Sequence, residues 1–314
     1  MTLAALLLLV IIVTGLLVVG ATWRPTGLPR QADCGLRHDR LVQAIALAVA
    51  GLTALMGALW AMESSLVHGE LAIPLAGVLG AGIGYLAVVA VGQWVWPRPS
   101  GPRRRALLTP RGMGDVAGGW APRLVGVSLA VAVLAVLLPA LLAPLDGPSA
   151  GSREVFQAGW DEPPSAVITL REVAGLPWPF REFFGLPWPG LRYGLPVLMG
   201  IVVLLALAAL GLRAVADRAT VTDAGSAWDQ QARATVARRI ITATAGVLAT
   251  VGGLFMLTAG SRLLETQTGL PALGGGLLLA LGTLWASAGA GLAVLGVLWP
   301  GWIAKHTAAA GSRP

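Results

Sequence analysis

The sequence predicts an all-α, polytopic membrane protein with seven transmembrane helices, its N-terminus outside the cell and its C-terminus in the cytoplasm. Three observations predict this fold: the composition, seven long apolar runs, and the distribution of arginine between the connections. Of the 314 residues, 56% are hydrophobic and only 12% are charged. A soluble domain carries roughly 25% charged residues, so this chain has too little polar surface to coat a globule in water.

The seven apolar runs set the predicted architecture. Each run is near or above the ~20 residues that a helix, rising 1.5 Å per residue, needs to cross ~30 Å of hydrocarbon. Backbone amides in lipid must be paired within their own segment, so runs of this length are predicted to be helices. The runs form one membrane domain over 1–314 and cover residues 3–22, 41–62, 73–96, 124–145, 195–215, 240–260 and 273–299.

The first run, residues 3–22, has an alternative interpretation as a secretory signal peptide. No basic residue precedes it, and it is longer than the apolar part of most signal peptides. Trp23 and Arg24 follow it, rather than a small-residue cleavage site. We therefore expect a retained span.

Basic residues alternate between the connections. The first, third and fifth connections and the C-terminal tail hold 17 basic and 6 acidic residues, whereas the other three hold 5 and 9. Cytoplasmic connections of membrane proteins collect arginine and lysine, so we expect the first group to face the cytoplasm. The net charge of +7 then reflects topology, and we expect the lipid bilayer, but no nucleic acid, as a partner. The compartment predicted is the plasma membrane.

The fourth connection, residues 146–194, is long and aromatic. Gly-Leu-Pro-Trp-Pro occurs twice in it, at 175–179 and 185–189. Because proline on both sides of each tryptophan prevents a continuous helix, we predict that Leu170–Tyr193 is a kinked segment in the outer interface of the membrane. It is either a lid or partner-docking surface, or it simply caps the bundle. The candidate surface residues are Trp178, Phe180, Phe183, Phe184 and Trp188.

A triplet of arginines, Arg103, Arg104 and Arg105, lies in the third connection. Basic residues near an anionic membrane surface contribute about 1 kcal/mol each, so the triplet is a candidate contact for anionic lipid headgroups. Its topological role would explain it equally well.

Cofactor and metal motifs are weak. Cys34 and His38 are four residues apart and could share a helix face, but structural zinc usually takes four protein ligands, and an ordinary polar loop is the simpler interpretation. The glycines of 112–118 do not have the spacing of a nucleotide-binding loop. We therefore predict no catalytic residue, metal or cofactor. Cys34 is the single cysteine, so it cannot form a disulfide within the chain.

The interiors of the seven runs contain no Asp, Glu, Lys or His. Ion-coupled transporters usually place such groups within the membrane, so this pattern argues against ion coupling. Glycines are frequent instead. Gly80 and Gly84 in the third run, and Gly274, Gly275 and Gly276 with Gly282, Gly289, Gly291 and Gly296 in the seventh, predict close helix contacts.

Two short motifs carry a resemblance. The stretch at 93–107, Gln-Trp-Val-Trp-Pro-Arg-Pro-Ser-Gly-Pro-Arg-Arg-Arg-Ala-Leu, and the Tyr-Gly-Leu-Pro that begins at Tyr193 are similar to motifs of uncharacterised multi-span membrane proteins of actinobacteria. The ratio of 21 arginines to 1 lysine is typical of a high-GC organism. The resemblance implies a membrane protein and assigns no activity or functional residue.

These observations lead to three hypotheses for function. The first is a non-catalytic membrane component or accessory subunit that binds other membrane proteins. The second is a permease or exporter of an apolar or lipid-like solute, which a continuous cavity among the glycine-rich helices would favour. The third is an enzyme at the outer interface, which would need His68 to meet acids of the fourth connection: Asp161, Glu162, Glu172 or Glu182.

Overall fold

The computed structural model describes residues 30–68, 72–95, 121–142, 191–218, 226–266 and 270–298. Across these ranges the chain forms six α-helices and no strand. The helices are α1 (Arg30–His68), α2 (Ala72–Trp94), α3 (Ala121–Leu142), α4 (Leu191–Asp217), α5 (Ser226–Thr266) and α6 (Leu270–Leu298). The all-α prediction is therefore confirmed for the described ranges.

Five helices are long and apolar enough to cross a membrane, and they indicate a membrane-embedded protein. The apolar stretch of α3, Arg123–Pro139, is shorter. The five candidate spans are Arg37–Leu59, Pro74–Trp94, Gly194–Asp217, Asp229–Ser261 and Leu273–Val294. Six of the seven predicted runs fall on the six helices, and the first, 3–22, lies outside the described residues.

Two helices extend well beyond their predicted spans. α1 begins at Arg30 and α5 begins at Ser226, so the prediction of connecting loops over residues 30–40 and 226–239 is wrong. At 1.5 Å per residue, the 41 residues of α5 reach about 62 Å. Asp39 pairs with Arg239, and Asp229 pairs with Arg233, so these charged residues of the extensions do not need to leave the helix to reach water.

α5 is the centre of the bundle. It packs against α2, α3, α4 and α6, while α1 packs mainly on α2 and α6 mainly on α5. Phe255, Leu248 and Val251 of α5 are fully buried. Among the most apolar residues of each candidate span, 72% are buried in α5, against 17% in α1 and 11% in α6. Most of these residues in the two outer helices are therefore at least partly exposed.

The contact between α5 and α6 is made by glycines spaced seven residues apart on both helices. Gly246, Gly253 and Gly260 of α5 face Gly289, Gly282 and Gly275 of α6 in antiparallel register. A Cβ atom built on Gly246 would lie 2.6 Å from the backbone nitrogen of Ala293 and 2.7 Å from the carbonyl oxygen of Gly289. The two backbones touch directly, which only glycine permits.

A similar contact joins α1 and α2. A Cβ built on Gly80 would lie 2.7 Å from the carbonyl oxygen of Thr53, and one built on Gly84 would collide with the Thr53 hydroxyl. The Thr53 hydroxyl donates a hydrogen bond of 2.8 Å to the carbonyl oxygen of Gly80. The predicted close contacts at Gly80, Gly84, Gly275, Gly282, Gly289 and Gly296 are confirmed. Gly274 and Gly291, in contrast, face open space.

Candidate functional site

Four helix termini meet at one end of the bundle. α1 and α5 begin there and α2 and α4 end there, and side-chain contacts join them. We call this region the charged end. It buries Arg218, Asp229, Arg233 and Arg239, each 8% exposed or less. Charged side chains are seldom buried without a partner, and the pairs that these residues form define the site.

Arg233 closes the C-terminus of α4. Its Nη1 donates hydrogen bonds to the carbonyl oxygens of Val215 and Ala216, at 3.0 and 2.8 Å, and its Nη2 donates to that of Arg218 at 2.7 Å. Its Nε donates to Asp229 Oδ2 at 2.9 Å. The last carbonyls of a helix lack partners within the helix, and a cation there also complements the helix dipole. Arg233 thereby fastens α4 to the first turns of α5.

Arg218 extends this cluster to α2. Its Nη1 donates to Gln93 Oε1 at 3.3 Å, and its Nη2 lies 3.7 Å from Asp229 Oδ1. Burial lowers the pKa of Arg218 from 12.5 to about 10, against the opposing effect of Asp229. Arg218 therefore remains a cation at neutral pH. One buried carboxylate, Asp229, serves two guanidinium groups.

A second ion pair joins α5 to α1. Arg239 Nη1 donates to Asp39 Oδ2 at 2.7 Å and to Gln43 Oε1 at 3.2 Å. The buried hydroxyl of Tyr85 on α2 lies 3.5 Å from the same Gln43 oxygen. Because α1 packs mainly on α2, this polar chain is its principal connection to the central helix.

His38 has a structural role at the same end. Its Nε2 donates a hydrogen bond of 2.8 Å to the carbonyl oxygen of Gly92, near the end of α2. The predicted metal alternative paired His38 with Cys34, whose side chain lies outside what the structure describes. Within the six described ranges, no three His, Cys, Asp or Glu side chains are close enough together to hold a metal ion.

The polar groups of the charged end link helices to one another. Its buried and partly buried ion pairs join three arginines to two aspartates. The same arginines also donate hydrogen bonds to two amide side chains and to helix carbonyls. Two buried donors, Gln93 Nε2 and Arg239 Nε, make no hydrogen bond to the described part of the chain. The bonds of the site thus hold helix termini in place.

The residues predicted as a partner surface cannot be placed against this site. Trp178, Phe180, Phe183, Phe184 and Trp188 lie outside the described residues. The same is true of Arg103, Arg104 and Arg105, and of the acids required by the enzyme hypothesis. These hypotheses remain predictions.

The sequence patterns do not predict the charged end. Arg218, Arg233 and Arg239 belong to the arginines that predict a cytoplasmic connection, and the structure buries all three. The spacing of Asp229 and Arg233, at i and i+4, was the available indication, since such a pair supports a helix rather than a loop. Apart from that pair, the partners are 11 to 200 residues apart in the chain, and no local pattern reveals such pairs.

Comparisons with known proteins identify no relative. No protein-family model matches the chain, and no curated protein and no solved structure matches it. Inferences about function therefore depend on the chain's own residues.

Proposed function

We propose that the protein is a seven-span component of the plasma membrane, with its N-terminus outside and its C-terminus in the cytoplasm. The alternation of 17 basic residues on one set of connections and 5 on the other supports this topology. The antiparallel course of α5 and α6 is consistent with it. The apolar run at 3–22 adds one span to the six described helices, and the charged end then faces the cytoplasm.

Within that topology, we propose a non-catalytic role: an accessory or interaction subunit that associates with other membrane proteins. The observation that carries this proposal is that the buried polar groups of the charged end bind helix termini. A catalytic site would need an acid, a base or a nucleophile aimed at a substrate. The outer helices α1 and α6 leave long apolar faces available to lipid or to partners.

The glycine-rich helices favour this proposal over a permease. A transport path between α5 and α6 would need space at Gly246, Gly253 and Gly260. At those positions an added methyl group would already meet the backbone of α6, at 2.7 Å or less. On α2, Gly82 faces side chains of Val247 and Leu204. These glycines therefore serve contact between helices.

Reporter fusions test the topology. A reporter active only in the cytoplasm and one active only outside, fused in turn after Arg105 and after Trp178, should give opposite results. We expect cytoplasmic activity at Arg105 and external activity at Trp178. The same side for both would overturn the proposed arrangement of spans.

Purification from native membranes tests the role. A tagged copy at its natural abundance, extracted in digitonin and in parallel in detergent-free polymer discs, should bring down a membrane protein in a fixed ratio. A tagged polytopic protein of similar abundance is the control for nonspecific capture. Recovery of the chain alone by both extractions would contradict an accessory role.

A further inference from the structure

One flank of α1 carries an apolar stripe that none of the described helices covers. Leu41, Ile45, Leu52, Met56 and Leu59 are 52, 45, 55, 59 and 38% exposed. They recur at intervals of three, four or seven residues, which places them on one side of the helix. Leu52 is nine residues, or two and a half turns, from Gln43, so the stripe lies opposite the side that Arg239 binds.

We propose that the N-terminal apolar run, residues 3–22, packs as a helix against this stripe of α1. The proposal rests on the seven-span topology above and adds which surface the first span occupies. The run is antiparallel to α1, with its C-terminal end near Leu41 and its N-terminal end near Leu59.

The length of the intervening chain limits where the run can lie. From Thr22 to Arg30 there are eight Cα steps, which reach about 28 Å when fully extended. α1 rises about 16 Å from Arg30 to Leu41, so about 20 Å remains for sideways displacement. Packed helices are 8–10 Å apart, so a place beside α1 is well within reach.

Exposed aliphatic side chains also lie on α3, α4 and α6, and the connectivity argues against α6. α6 packs mainly on α5, and α5 packs on α2, which separates α6 from α1 in the order of contacts. Helices that follow each other in the chain are usually neighbours in space. The run and α1 are consecutive, and both present large aliphatic side chains, which interdigitate well in helix packing.

Cysteine crosslinking tests the proposal in the full chain. The native Cys34 is first changed to serine, which leaves no other thiol. Leu6, Leu7, Leu8 and Leu9 are then changed to cysteine one at a time, so that a full helical turn is sampled. Each is combined with Met56→Cys on α1 or with Leu284→Cys on α6. Met56 and Leu284 are matched in exposure, 59 and 66%.

The expected result is disulfide formation with Met56→Cys at one or two of the four positions after oxidation by copper phenanthroline, and none with Leu284→Cys. A disulfide needs Cα atoms roughly 4.4–6.8 Å apart, so only a packed neighbour reacts efficiently. A protease site inserted within 23–29 lets the product be detected as two fragments that stay joined on a non-reducing gel. A disulfide between one of the four cysteines at 6–9 and Leu284→Cys, or no disulfide with either test position, would overturn the proposal.

A second measurement separates failure of the packing from failure of the topology. The same cysteines at 6–9 are exposed to a water-soluble, membrane-impermeant maleimide in intact cells and in opened membranes. Protection in both preparations with no crosslink to Met56→Cys would leave seven spans in place and reject packing on α1. Rapid labelling at all four positions would reject the span itself.

Discussion

The helix α5 is held in two different ways along its length. In its apolar half, contact with α6 depends on the absence of side chains at Gly246, Gly253 and Gly260. At the charged end, contact depends on long side chains, Arg233 and Arg239, that reach other helices. Lipid provides no hydrophobic drive for one helix to bind another, so close packing must supply the attraction. At the charged end, where polar helix termini need partners, hydrogen bonds supply the attraction.

The largest expected effect comes from removing the cap on α4. Arg233→Met leaves three carbonyl oxygens and the buried carboxylate of Asp229 without their main donor. Loss of one partner of a buried ion pair costs about 3–5 kcal/mol, and we expect a loss of that size in the free energy of unfolding. Unfolding by titration with SDS in mixed micelles measures it.

The matched control is an ion pair of the same type on the surface. Arg213 and Asp217 are 3.7 Å apart, also at i and i+4, with side chains 75 and 72% exposed. Exposed pairs contribute about 0–1 kcal/mol, so Arg213→Met should change the free energy of unfolding by less than ~1 kcal/mol. Equal effects at the two arginines would show that burial does not distinguish them.

Substitution at the glycine contact between α5 and α6 should have the next largest effect on stability. In Gly253→Ala, the added methyl group meets the backbone nitrogen of Ala286 and, at 2.7 Å, the carbonyl oxygen of Gly282. Neither atom can move unless the helices separate, and overpacking of this kind costs about 1–3 kcal/mol. We expect the upper part of that range, measured as a lower melting temperature in detergent.

Gly274→Ala is the control for that experiment. It is the same substitution on α6, but nothing lies within 4 Å of the added methyl group. Alanine has a higher helix propensity than glycine by about 1 kcal/mol, so Gly274→Ala should leave the melting temperature unchanged or raise it. A decrease equal to that of Gly253→Ala would show that spacing between α5 and α6 is not the cause.

A smaller effect is expected from the ion pair between α1 and α5. The side chains of Asp39 and Arg239 are 18 and 10% exposed, so water screens them more than the pair at Arg233. Asp39→Asn should lower the free energy of unfolding by about 1.5–2 kcal/mol, the lower part of the range for a hydrogen bond to a charged group.

A double-mutant cycle makes that prediction specific. Arg239→Gln alone should lower the free energy of unfolding by as much as Asp39→Asn or more. The double variant should lower it by less than the sum of the two single variants. Additive effects would show that Asp39 and Arg239 stabilise the protein independently.

The smallest effect is expected at the hydroxyl between α1 and α2. Thr53→Val keeps the shape of the side chain and removes the hydrogen bond to the carbonyl oxygen of Gly80. Hydrogen bonds between membrane helices average about 0.6 kcal/mol, and we expect a loss of about that size. The Thr53 hydroxyl also bonds to Val49 within its own helix, so a loss above ~2 kcal/mol would mean that packing, rather than the hydrogen bond, is disturbed.

The sequence predicted the helices better than it predicted how they pack against one another. Apolar length alone identified the six helices that the structure describes, because a lipid solvent requires that each backbone amide be paired within its own helix. The glycines of α6 indicated close contact, and Gly275, Gly282 and Gly289 make it. Their partners on α5 share the same seven-residue spacing, a match that is evident only when the two runs are compared.

The charged end could not be predicted in the same way. Arginine near a span is expected for topology alone, so Arg239 beside residue 240 carried no sign of its bond to Asp39, 200 residues earlier in the chain. The boundaries of α1 and α5 were missed for the same reason. Charged residues were assigned to loops because their partners, in other helices, were unknown.

The central position of α5 has a consequence for how the protein is made. A ribosome delivers the helices in chain order, and α5 is the fifth of the six described helices to emerge. Until it enters the membrane, Asp39 lacks its guanidinium partner, the end of α4 lacks its cap, and α3 lacks the helix against which it packs most. A nascent chain stopped before Ser226 therefore carries charges and helix ends that only later synthesis can satisfy. Such truncated chains should be substrates for the proteases of membrane quality control.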